Sequence, residues 1–119
     1  SEGGYRAFQQ LLGLHRRPTA VFAGNDLMAI GSLCAASEAG LRIPADLSVI
    51  GYDDIALASY SNPRLTTMAQ PKSYMGQRIV SVLLERIVGS PLPLRRELLQ
   101  TQLVTRQSTG APPESPPRV

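Results

Sequence analysis

LSVIGYDDIALASY, residues 47–60, sets a short apolar run against a glycine and two adjacent carboxylates. Leu47 to Ile50, bounded by breakers, reads as a buried strand. Gly51 ends the run, and Asp53 and Asp54 come off its carboxyl end. Asp54 is placed to cap a short helix from Ile55 to Tyr60. "SNPR" then stops that helix, because the residue before a proline is biased toward extended backbone. With Asp54 used as a cap, Asp53 is the carboxylate left to face a cleft.

Working outward, "TAVFAG" (residues 19–24) is a second short apolar run and reads as another buried strand. Asn25 and Asp26 follow it with N-cap chemistry. A helix from Leu27 then carries Ile30, Leu33 and Cys34 on one face and stops at Gly40. Near the start, Tyr5, Phe8, Leu11 and Leu12 recur at helical spacing from Gly4 to about Leu14. "GLHRRPT" closes that helix with a glycine, basic residues suited to the dipole, and Pro18. Downstream, "LTTMA" (65–69) is a third strand. A longer helix from about Ser73 to Val88 shows Met75, Ile79, Val82, Leu83 and Ile87 as its apolar stripe. "GSPLPLRR" is a loop, "LQTQLVT" (99–105) a final strand, and "GAPPESPPRV" (110–119) a disordered tail. Strictly alternating helices and strands predict an α/β fold: a parallel sheet with helices on both faces and right-handed crossovers. The order of strands within the sheet stays open.

Bulk properties narrow the class. The 119 residues are 43% hydrophobic and 18% charged, ordinary for one soluble globular domain. No apolar run approaches the roughly 18 residues of a membrane span. "SEGGYRAFQQ" lacks the pattern of a signal peptide, so a cytoplasmic location away from membranes is expected. The absence of an initiator Met points to a fragment or a processed form. The net charge is +3, but the arginines are scattered and no aromatics interleave with them to stack bases. This stretch is not expected to read nucleic acid itself.

In an open parallel sheet, ligands bind beyond the carboxyl ends of the strands. Asn25, Asp53 and Gln70 each follow one such end, so all three point to the same edge. Two amides and a carboxylate match the vicinal hydroxyls of a small polar molecule. Asn and Asp are also common in such loops as helix caps and turn formers. Topology alone leaves both readings standing. Other tempting residues carry less. His15 has no neighbours at metal-ligand spacing and suits the end of a basic helix. Cys34, on an apolar helix face, is expected to be a buried, inert thiol. Ser32, Ser37 and Ser48 have no histidine partner in the pattern, and no nucleophile elbow is present. The expectation is a non-enzyme with no catalytic residues, no metal and no cofactor.

"PTAVFAGNDLMAIGSLCAASEAGLRIPADLSVIGYDD", followed by "PRLTTMAQP" and "MGQRIVSVLLERIVG", resembles the C-terminal part of a LacI/GalR-type transcriptional repressor. The resemblance runs from "GGYRAFQQLL" through "LVTRQSTG". It implies a periplasmic-binding-protein-like effector domain of two lobes. Residues 1–109 would belong to that domain, mainly to its C-terminal lobe. Residues 70–100 would cross to an N-terminal lobe that lies outside this sequence. By the same resemblance Asn25, Asp53 and Gln70 would contact a small-molecule effector, most often a sugar in this family. Leu27 and Tyr60 would contribute to a homodimer interface. Operator DNA would be bound only through a helix-turn-helix upstream. A solute-binding protein of an ABC transporter, with the same fold, is the alternative.

Overall fold

The structure is a computed structural model that describes residues 1–89 and 96–114. The elements follow in the order α1 (Glu2–Leu12), β1 (Ala20–Phe22), α2 (Asp26–Glu38), β2 (Ser48–Asp53), a 3-10 turn (Ala56–Ser59), β3 (Thr66–Ala69), α3 (Lys72–Ile87) and β4 (Gln102–Val104). The four strands form one sheet in the order β1-β2-β3-β4. β2 runs parallel to both β1 and β3, with Val21 opposite Val49, Ile50 opposite Thr66, and Asp53 opposite Ala69.

The chain divides into two compact units, one of residues 1–69 and 103–119 and one of residues 70–102. In the first, the core is built on the inner strands: Leu47, Val49 and Leu65 are fully buried, joined by Phe8, Ala29, Leu33 and Ala36. Helix α2 is buried along much of its circumference and is made largely of small residues there, Ala29, Gly31, Ser32, Ala35 and Ala36. Small side chains let α1 approach closely. A Cβ on Gly31 would lie 2.0 Å from the Ser1 carbonyl oxygen, so no larger residue fits that crossing. The segment after β4 is tied to the amino ends of β2 and β3. Buried Ser108 donates from Oγ to the Val49 carbonyl (2.6 Å) and accepts there from the Thr66 N–H (2.8 Å). Gly110, the first residue of the expected tail, exchanges two hydrogen bonds with Ser48 Oγ. Residues 115–119 of that tail lie outside the described residues.

In the second unit, α3 has no buried residue. Of its expected apolar stripe, Met75 and Val82 are half-buried while Ile79, Leu83 and Ile87 are exposed. Arg78 Nε donates to the Glu97 carboxylate at 2.7 and 2.9 Å and ties that residue to the helix.

Several local expectations need correction. β1 is an edge strand, not a buried one, because it has a single sheet neighbour; Phe22 stands 62% exposed. Cys34 is exposed, because α2 turns its buried faces elsewhere. α1 ends at Leu12, so His15 falls beyond its last turn, and Arg17 instead donates from Nε to the Leu12 carbonyl at 3.0 Å. The helix expected from Ile55 to Tyr60 is a single 3-10 turn, and no side chain caps it.

Candidate functional site

Asn25 sits between β1 and α2 as the N-cap of α2, in extended backbone (φ −156°, ψ 168°). Its Oδ1 accepts from the Met28 N–H at 2.9 Å. A cap uses one oxygen and leaves the two N–H donors of the Nδ2 amide for another partner. The bland reading and the functional one are therefore compatible at this residue. Asp53 is the last residue of β2 rather than a loop residue, since the strand runs three positions past Ile50. It is half-buried. Gln70 directly follows Ala69, the register partner of Asp53, and opens the second unit. Leu27 is 48% and Tyr60 82% exposed.

The backbone at the end of β2 is unusual. Asp53 has φ 113° and the next residue, Asp54, has φ 50°. Non-glycine residues in such regions cost on the order of 1–3 kcal/mol each and persist only where surrounding structure over-determines them. What fixes them here is a network centred on Asp26, the residue after the cap. Its side chain is wholly buried. Oδ2 accepts from the Ile55 N–H at 2.8 Å, and Oδ1 accepts from the Thr67 hydroxyl at 2.5 Å. Thr67 Oγ1 in turn lies 3.4 Å from the Asp54 N–H, which donates to it. Gly51 leaves the space this requires, since a Cβ there would stand 2.2 Å from Asp26 Oδ1.

The second clamp is Arg106, from the segment after β4. Its Nη2 donates to Asp54 Oδ1 at 2.7 Å and its Nη1 to the Leu65 carbonyl at 2.8 Å. The two charged side chains are 16% and 29% exposed, a sheltered geometry in which charge-assisted hydrogen bonds are strong. Asp54 therefore does not cap the turn that follows. Its carboxylate is drawn to Arg106, and the Ile55 N–H is satisfied by Asp26 instead.

Asp26, Thr67, Gly51 and Arg106 were not singled out by sequence as one group. Asp26 stands next to a good N-cap and reads as cap chemistry; nothing local reveals a partner 41 residues away. Arg106 is 52 residues from Asp54. Among the described residues, no three His, Cys, Asp or Glu gather where they could hold a metal.

The arrangement is a polar rim at the carboxyl edge of a parallel sheet, with Asn25 and Asp53 on successive strand ends. Residues 1–109 match the periplasmic binding protein-like domain family. The chain is 48% identical over 112 residues to the HTH-type transcriptional repressor PurR of Proteus mirabilis (strain HI4320), covering 94% of this chain and 33% of that protein. The lac repressor dimer bound to operator and the anti-inducer ONPF superimposes with a TM-score of 0.84 at 39% identity, over 92% of this chain and 38% of that one. A LacI family transcriptional regulator from Enterococcus faecium with bound ribose gives 0.79 at 40% identity, over 91% and 40%. The chain thus spans about a third of the length of the curated relatives it matches. An α/β sheet of this order, the motifs laid along it and the match across residues 1–109 lead to one conclusion: the chain belongs to the periplasmic binding protein-like domain family, in the LacI/GalR effector-binding branch.

Proposed function

We propose that this chain is part of the effector-binding domain of a ligand-responsive transcriptional repressor. Asn25, Asp53 and Gln70 contact a small polar effector, a sugar by preference. The observation that carries this reading is the end of β2, where two costly backbone conformations at Asp53 and Asp54 stand beside a network centred on buried Asp26, at the edge where open parallel sheets bind ligands. Strain kept at such cost is a mark of function more than of packing. Ribose in a regulator 40% identical to this chain supports a hydroxyl-rich ligand. The relatives described are repressors and regulators rather than transport proteins, which favours regulation in the cytoplasm over solute capture outside it.

Effector binding would be non-catalytic and allosteric: a ligand preferring one arrangement of the domain shifts how DNA-binding heads are presented. Operator contact falls to a segment outside this sequence, and residues 70–100 would cross to a second lobe. Leu27 and Tyr60 line a homodimer interface. In the full-length protein, calorimetry with pentoses, hexoses and purine bases identifies the effector. Asp53→Ala is expected to cost about 1.5–3 kcal/mol of its binding, about ten- to a hundredfold in Kd. Unchanged affinity in that variant rules out the assignment.

A further inference from the structure

Asp26 joins the loop that bears Asn25 to the end of β2, which bears Asp53. It is covalently next to Asn25, and its carboxylate grips the N–H of Ile55, two residues beyond Asp53. Both of its oxygens are engaged and it is fully buried, so it cannot itself reach a ligand. We infer that Asp26, locked by Thr67, is a positioning residue: it sets the spacing between Asn25 and Asp53 and so determines how tightly the effector is held. This rests on the effector reading of Asp53. The chemistry explains the choice of residue type. Only a carboxylate offers two acceptor oxygens at a fixed separation, one for a backbone N–H and one for a hydroxyl. An N-cap at this position would have needed neither. Thr67 completes the chain by donating its proton to Asp26 while accepting from the Asp54 N–H, so one side chain holds the peptide that links the two positive-φ residues.

Asp26→Ala empties a buried polar site and risks unfolding, so the test uses Thr67→Val, which keeps the volume and removes only the hydroxyl. Thr67→Ser restores the hydroxyl. Hydrogen exchange on the full-length protein is expected to show the Ile55 and Asp54 amides exchanging about tenfold faster in Thr67→Val, with Val49 unchanged and protection restored in Thr67→Ser. D-ribose, D-glucose and adenine are then titrated separately, and whichever binds the unmodified protein is carried through a double-mutant cycle with Asp53→Ala. The expected result is a Kd about tenfold weaker in Thr67→Val, recovered in Thr67→Ser, and no further loss when Thr67→Val is added to Asp53→Ala. A merely structural Thr67 gives the same loss in both backgrounds and overturns the inference, as does unchanged exchange at Ile55. Loss in Asp53→Ala with a neutral Thr67→Val overturns the positioning role alone. A neutral Asp53→Ala overturns the effector reading and the positioning role with it. The exchange measurement needs no ligand, so it decides whether the network holds the loop even where none of the three probes binds.

Discussion

Asp46 shows how a single side chain can organise a connection. Its carboxylate accepts from the Arg42 backbone N–H (2.8 Å), from Nε (2.9 Å) and from Nη2 (2.7 Å), closing the turn that leads into β2. Hydrogen bonding to the Arg42 side chain, then to its backbone, holds the Asp46 carboxyl at about 2, below its ordinary value of 3.8. A group depressed in this way contributes stability above its unfolded pKa and loses that contribution as pH falls through the folded one. The window therefore lies between pH 3.8 and about 2. Asp46→Asn is expected to flatten the slope of unfolding free energy against pH across that window. Urea denaturation at a series of acidic pH values measures it, and an identical slope in the variant contradicts the linkage.

At the scale of the element, β2 and α2 meet through positions where a side chain is forbidden. Gly51 in β2 makes room for the Asp26 carboxylate at the start of α2. The obstacle is a buried, doubly hydrogen-bonded group that has nowhere to retreat. Gly51→Ala is thus expected to destabilise the fold by about 1–3 kcal/mol through overpacking. Gly31→Ala meets backbone on two sides, the Ser1 carbonyl oxygen at 2.0 Å and the Tyr5 nitrogen at 2.8 Å, and is expected to destabilise at least as much. Thermal melts of both variants check the ordering. A Gly51→Ala protein as stable as the parent would mean that Asp26 has another place to go. The same elements show how far a linear reading reaches. The apolar run Leu47–Ile50 announced β2, but the strand continues through Gly51 and Tyr52 to Asp53 because it pairs with β3 as far as Ala69. Pairing partners extend a strand past the point where its own composition stops asking for one.

For the whole molecule, the open question is which surfaces await a partner. Tyr60 projects at 82% exposure from the end of the 3-10 turn, and Leu57 and Leu27 stand about half exposed. A side chain so exposed is not packed on its own turn, which favours the dimer role proposed for it. Buried aromatic anchors of an interface are worth about 2 kcal/mol or more. Tyr60→Asp in the full-length protein is accordingly expected to weaken self-association at least thirtyfold, a factor of about that energy. Sedimentation equilibrium reads the dimer constant directly, and a dimer of undiminished affinity excludes Tyr60 from the interface. Helix α3 raises a similar issue, with Ile79, Leu83 and Ile87 uncovered within its unit. Covering each such side chain is worth roughly 1.5–3 kcal/mol.

The alternation of apolar runs with helical periodicities, the breakers between them and the placement of Asn25, Asp53 and Gln70 at the ends of successive strands are properties of the linear sequence. They suffice for the α/β class and for the sheet edge at which the polar residues sit, because periodicity and crossover handedness are local or topological rules. The roles of individual side chains within that frame were decided only in three dimensions. Asp26 reads as a cap and is a buried brace, Asp54 reads as a cap and is the partner of Arg106, and Cys34 reads as core and is exposed. Each outcome depends on a partner many residues distant, or on which face of α2 meets α1 and the sheet. A hydrogen bond of a few ångströms between residues 26 and 67, or 54 and 106, leaves no trace in the spacing of either neighbourhood. It arises when the sheet closes and places them together.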